Sequence, residues 1–201
     1  QDEKGLQMFA QKMGVKATLN APASYDPVEQ AQILEEAIRN RPAGIMVCGA
    51  DITLIPLINR AVAEGIPTIT VDADLPDSDR LATVGSNWYN LGVKQGEAMM
   101  RLIGGKGKVA MLGMVGSENM QQGFAGFHSV AENYSDVIVL GEYDDMSNPE
   151  EAKRIVIRLL REHPDLAGIA GFDSNSGPGI AMALEELRLK GEVKVTCVDI
   201  A

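Results

Sequence analysis

Short apolar runs alternate with helical segments along nearly the whole chain, and this alternation restricts the fold more than any other feature. The runs AGIMVC (43–48), PTITV (67–71), GKVAML (107–112), 136–142, 167–172 and 193–198 have the length of strands. Segments 27–39, 53–64, 88–103, 119–132, 149–162 and 178–190 lie between them, with apolar residues at helical spacing. Two parallel strands need a crossover of roughly a dozen residues or more, and a helix supplies it. The pattern therefore predicts an α/β fold of βαβ units with parallel sheets. Local signals support the boundaries. Asp26-Pro27 reads as an N-cap followed by proline at the first helical position, and Gly65 and Gly104-Gly105 follow helices. AGIMVC is apolar throughout, which predicts burial on both faces. At the N-terminal end, 2–13 reads as a helix fragment with Leu6, Phe9 and Met13 on one face. Gly14 stops it, and VKATLN (15–20) is expected to be a strand.

The stretch GIPTITVDADLPDSDRLATVGSNWYNLG (65–92) divides the chain. It reads as a strand ending at Asp72, a polar loop, a second strand (81–85) and the start of a helix. Open α/β sheets bind ligands where strands end in such loops. Residues 1–86 are expected to build one Rossmann-like lobe and residues 87–201 a second. A weak internal repeat agrees. Residues 42–72 and 164–199 share the order Pro, Ala-Gly-Ile, strand, Asp-containing loop, helix, glycine, strand, Val-Asp. The repeat pairs Asp51 with Asp173 and Asp72 with Asp199. Two such lobes facing each other would aim Asp72, Asp173 and Asp199 at a shared gap.

Composition excludes several functions. A formal charge of −10 leaves no basic stripe for phosphates, so no nucleic-acid partner is expected. No apolar run approaches the ~20 residues that span a bilayer. The chain begins with Gln rather than Met, as expected of a processed or excised piece, for instance one whose signal peptide has been removed. Cys48 and Cys197 sit in apolar strand patterns and read as small core residues. No metal site has the necessary ligand spacing. His128 and His163 are isolated and expected at the surface. Trp88 and Tyr89, at the start of a helix, are expected to pack it rather than stack on a ligand.

Enzymatic readings find little support. GMVGSENMQQG after 107–112 has glycines at the wrong spacing for a dinucleotide fingerprint, and no GxxxxGK[ST] loop exists. A phospho-accepting Asp72 would need an acidic pair and a downstream lysine that are not found. No nucleophile–base constellation can be assembled. No catalytic residue and no cofactor is expected.

Several stretches resemble a known family. DPVEQAQILEEAIRNRPAGIMVCGAD, GIPTITVDAD, TVGSNWYNLG, QQGFAGF, PDLAGIAGFDSNSGPGIAMAL and VKVTCVDIA, in this order and spacing, are similar to the ribose-binding-protein type (type I) of periplasmic sugar-binding proteins of ABC transporters. LacI-type repressors share that fold in their effector domains. The resemblance implies two α/β lobes with a ligand between them, incomplete here: the first strand and the last segments of the family pattern are not matched. It implies that Asp72 accepts hydrogen bonds from two sugar hydroxyls, that Asp173 and Asp199 bind from the second lobe, and that Gly49 and Asp51 line the cleft. Ala73 and Gly123 stand where ribose-type members have arginine, with Asn119, Gln121 and Gln122 as polar substitutes nearby. Thr83 to Asn87 matches a hinge crossing.

These residue types suit a neutral polyhydroxy ligand. A carboxylate accepts two hydroxyl protons at once through charge-assisted bonds. A cationic ligand would fit as well, and an anionic one would be repelled. The expected function is sugar or polyol binding in the periplasm or at the cell surface, where a lipoprotein would serve. The partner is an ABC permease or a membrane receptor, or else the module senses ligand for a sensor kinase or a LacI-type regulator.

Overall fold

The computed structural model describes residues 2–23 and 25–199. Its helices are α1 (Asp2–Met13), α2 (Pro27–Arg39), α3 (Ile55–Ala63, preceded by a 3-10 turn, Ile52–Leu54), α4 (Trp88–Ile103), α5 (Glu118–Ala131), α6 (Pro149–Glu162) and α7 (Ser176–Glu186). The strands are β1 (Ile45–Cys48), β2 (Thr68–Asp72), β3 (Thr83–Gly85), β4 (Gly107–Gly113), β5 (Val137–Asp144), β6 (Leu166–Gly171) and β7 (Lys194–Cys197). They form a three-stranded sheet, β1-β2-β3, and a four-stranded sheet, β5-β4-β6-β7. Every pairing is parallel. The α/β class and the parallel sheets are as the alternation predicts.

The four-stranded sheet is covered on both faces, and β4 shows why its sequence is apolar without a break. Val109 and Met111 pack on one side with Met99 and Met100 of α4 and Phe124 and Phe127 of α5. Ala110 and Leu112 pack on the other with Val156 and Leu159 of α6 and Ile180 and Ala183 of α7. The three-stranded sheet is covered on one side, where Leu34 and Ile38 of α2 and Ile58 and Ala61 of α3 meet Val47.

Caps explain where the helices stop and start. Asp26 accepts hydrogen bonds from the Val28 and Glu29 amides, both at 3.0 Å, with Pro27 opening α2. Asn148 does the same for α6 through the Glu150 and Glu151 amides. Gly104 ends α4 with φ +67°, a left-handed conformation that costs glycine nothing.

Several expectations fail. No strand forms over 15–20; Val15 and Leu19 are exposed, so the segment has neither a face to bury nor a ladder with β1. Phe9 and Met13 of α1 are likewise exposed. β1 is not buried on both faces: Met46 is 60% exposed, because no helix covers that side, and Val84 of β3 is 64% exposed. α7 covers 176–186 rather than 178–190. Asp173 draws the Ser176 amide into the start of the helix, and Arg188, at φ +58°, turns the chain out of it. Cys197 is exposed and Cys48 half-buried, so neither is a core residue. His128 and His163 are partly exposed, as expected of surface residues, with His128 Nε2 3.0 Å from Glu142 Oε1.

Helices α4 and α5 touch backbone to backbone. A Cβ on Gly92 would lie 1.9 Å from the Gly123 carbonyl oxygen, and one on Gly126 would lie 2.1 Å from that of Tyr89. Alanine is worth ~1 kcal/mol over glycine inside a helix, but here the clash is with main chain that cannot rotate away. Gly92→Ala is expected to lower stability by about 1–3 kcal/mol in urea unfolding. Gly5→Ala in α1, with nothing near its Cβ, is expected to be neutral or stabilising.

Candidate functional site

Both sheets end on one cleft. Parallel strands carry their carboxyl ends to the same edge, and the loops that follow β1 (Ala50), β3 (Ser86), β4 (Ser117), β5 (Ser147), β6 (Asp173) and β7 (Asp199), with Asp72 at the end of β2, line a cavity of about 540 Å³. That size suits a small molecule. In the four-stranded sheet the chain leaves β4 towards α5 on one face and β6 towards α7 on the other. The cleft thus lies at the point where the strand order reverses, the usual ligand position in open α/β sheets.

From the three-stranded sheet, Asp72 has φ +63°, a left-handed conformation uncommon for an L-residue. Its carbonyl accepts the Trp88 indole N–H at 3.2 Å. Gly85, its register partner on β3, permits this: a Cβ there would stand 2.5 Å from the Asp72 carbonyl oxygen. Trp88 packs in the core beneath α4, as expected, and also lines the cleft. The following loop is braced by Asp74. Arg80 donates to it through Nη2 (2.7 Å), while its Nε donates to the Thr83 hydroxyl (2.8 Å) and stands 2.5 Å from the carboxylate as an ion pair; the Thr70 hydroxyl donates to it at 3.0 Å, with Thr83 alongside. Burial opposes ionisation of Asp74, but the bonds from Arg80, Thr83 and Thr70 outweigh it and hold the carboxyl below its usual range.

From the four-stranded sheet, Asp173 is nearly buried. Its Oδ1 accepts the Asn175 and Ser176 amides, both at 2.8 Å. Asn119 lines the cleft at the start of α5, with its Oδ1 bonded to Ser117. The Ser117 hydroxyl also lies 3.5 Å from the Ala50 carbonyl, a link between the loops of the two sheets. Asp199 is exposed at the rim.

Thus Asp72, Asp173, Asp199 and Asn119 come together in one cleft. Gln121 and Gln122 do not line it; the Gln121 side chain donates to the Val115 carbonyl at 2.5 Å. Asp51 stands just behind, where it accepts the Thr53 amide at 2.8 Å and the Tyr25 phenol. Tyr25 lines the cleft and was not singled out from sequence as a site residue; nor were Asp26, read there only as a helix cap, or Gln30, Ser86 and Ser147. Burial and the Asp51 carboxylate push the Tyr25 phenol above its usual range. Its signal was an aromatic residue between small residues, immediately before a helix cap. No lysine or arginine among the described residues lines the cleft, so the charge these residues bring to it is wholly negative. Among the described residues no group of three or more His, Cys, Asp or Glu could hold a metal ion, and no helix is long and apolar enough to cross a membrane.

A profile of the periplasmic binding protein domain matches residues 1–201. The chain belongs to this family. Among periplasmic binding proteins of known structure, it is 32% identical to the sugar-binding protein of a sugar ABC transporter from Bacillus halodurans. That match covers 96% of this chain and 67% of the other, at a TM-score of 0.85. It is 28% identical to an ABC transporter solute-binding protein from Burkholderia graminis solved with D-arabinose, with 97% and 69% covered and a TM-score of 0.92. It is also 24% identical over 163 residues to the D-apiose import binding protein of Paraburkholderia graminis, across 80% of this chain and 52% of the relative. The chain therefore spans about half the length of that curated relative. These likenesses bear out the type I fold read from the sequence motifs.

The Asp74 brace gives a measurable pH dependence. A carboxyl depressed in the folded state stabilises above its unfolded value of 3.8, and that contribution is lost as pH falls through the lower folded value. Thr83→Val is expected to cost about 1–2 kcal/mol at neutral pH. The difference from wild type should shrink below about pH 4 in acid-unfolding curves.

Proposed function

We infer that this chain binds a neutral sugar or polyol between its two lobes, 1–86 and 87–201, without altering it chemically. The observation that carries the reading is the cleft itself: strand ends from both sheets supply Asp72, Asp173 and Asp199, with no cation on the walls. A carboxylate that the bound ligand covers discriminates well, because a ligand lacking the matching hydroxyl leaves it unpaired at a cost of about 1–3 kcal/mol. Trp88 and Tyr25 add apolar surface of the kind that covers the C–H faces of a sugar ring. The family and the D-arabinose complex of a relative favour the same ligand class. In the longer proteins of this type, ligand closes the lobes, and the closed form is recognised by a membrane partner. We propose an ABC permease as that partner and the periplasm or cell exterior as the place.

The test is a thermal-shift panel of D-arabinose, D-apiose, D-glucose, D-galactose, D-allose, a linear polyol and a quaternary amine. A ligand at a hundred times its dissociation constant stabilises the folded state by ~2.7 kcal/mol. A sugar should raise the melting temperature, and Asp72→Ala and Asp199→Ala should each abolish the rise. A response to the amine alone would replace the sugar reading with a cationic ligand, the other chemistry that an acidic cleft accommodates.

A further inference from the structure

Behind the second-lobe wall of the cleft lies a carboxyl that no ligand reaches. Asp145 follows β5 and is fully buried. Its Oδ1 accepts the Ser147 amide at 3.0 Å, and its Oδ2 accepts the Ser176 hydroxyl at 2.6 Å. It thereby ties the turn after β5 to the first residue of α7. That turn is strained: Met146 and Ser147 are both left-handed, at φ +52° and +50°. Asn175 completes the tie, donating through Nδ2 to the Ser147 carbonyl at 2.9 Å and to its hydroxyl at 3.1 Å. Ser147 and Asp173 both face the cleft, so Asp145 fixes two stretches of its wall without lining it.

The third neighbour of Asp145 is the Asp173 carboxyl, within hydrogen-bonding reach. Asp173 is 5% exposed, and with both groups ionised its Oδ2 has no donor at all. Two buried carboxylates in contact, one with an orphan oxygen, repel each other and waste a hydrogen bond. One proton between them resolves both problems. We propose that Asp145 and Asp173 share a single proton, and that this proton holds the loops after β5 and β6 in the arrangement that forms the cleft wall, so that Asp145 is a positioning residue for the ligand site. The role assigned to the ligand rests on the sugar-binding reading above; the shared proton does not.

The surroundings agree. On its own stretch Asp144 is turned to the Met146 amide. The first turn of α6 carries Glu150 and Glu151, the latter paired with Arg154, β4 offers the Gly113 carbonyl to the Asp145 amide, and β7 places Cys197 beside Asp173. Among the described residues no lysine or arginine pairs with Asp145 or Asp173. Burial first, and the Asp173 carboxyl with it, push Asp145 up to about 7, against the pull of the Ser176 and Ser147 bonds. A carboxyl raised in this way favours the folded state at low pH. Its contribution is complete below the unfolded value of 3.8 and lost as pH rises through about 7.

Carboxyl carbon NMR of the chain between pH 4 and 9 tests the proton directly. One aspartate resonance should titrate near neutrality and vanish in Asp145→Asn, and the Ser147 and Ser176 amide resonances should move with the same midpoint. An Asp145 resonance titrating in the ordinary carboxylate range, or amides that ignore it, overturns the proposal. The positioning role is read by calorimetry with D-arabinose at pH 6, 7 and 8.5. Wild-type affinity should fall above neutrality, by up to about tenfold per pH unit. Asp145→Asn, whose amide donates to Asp173 at every pH, should retain at pH 8.5 the affinity it has at pH 6, and Asp145→Ala should bind weakly throughout. Binding by wild type that is equally strong at all three values refutes the positioning role. Failure of D-arabinose and of every other sugar to bind at any pH refutes the sugar reading and, with it, the ligand role assigned to Asp145, while the shared proton is judged by the carboxyl titration alone.

Discussion

Parallel hydrogen bonding puts the carboxyl ends of neighbouring strands at one edge of a sheet, and the cleft depends on this happening in both sheets at once. β4 lies between β5 and β6, β6 between β4 and β7, and β2 between β1 and β3, so the strands with two neighbours are the ones that deliver the central loops. The apolar residues of β4 serve this placement as much as they serve stability. Buried from both sides, the strand cannot slip by one residue without exchanging Val109 and Met111 for Ala110 and Leu112 across the sheet. Its register therefore fixes where the loop after it, ending at Ser117, meets Ala50.

The fold was legible wherever a local signal and the global arrangement agreed. α4 and α6 have the limits that their caps announce, because Asn87 and Asn148 bond amides of their own helices and need nothing distant. Residues 15–20 had the composition of a strand but no ladder to join, and composition alone does not form one. The both-faces reading of β1 assumed that a continuous apolar run reports two covering layers. Met46 shows that it reports only the capacity to be covered.

The site was legible in part. Strand-end aspartates are visible in sequence because strands and helices are, and Asp72, Asp173 and Asp199 do reach the same cavity. Tyr25 was not visible, since a tyrosine in a loop carries no period that says where it points. Asp145 was hidden for another reason. Its sequence context, one aspartate after another ahead of a turn, is that of a solvated loop, and only the closure of α7 over the end of β5 buries it. Burial of a charge is a tertiary event, and no window of sequence contains it.

Among the described residues the chain passes from the three-stranded sheet to the four-stranded one once, between Gly85 and Trp88. The indole that begins the second unit is bonded to the carbonyl of Asp72, a residue of the cleft wall. One hydrogen bond therefore joins the crossing between the sheets to a residue of the cleft wall. A pull on the Asp72 side chain acts on a backbone already twisted into an unusual conformation, and the indole transmits the torque to α4. In mechanical terms the structure sets a coupling beside the cleft, so that a force on Asp72 would reach the first residue of α4 through a single bond.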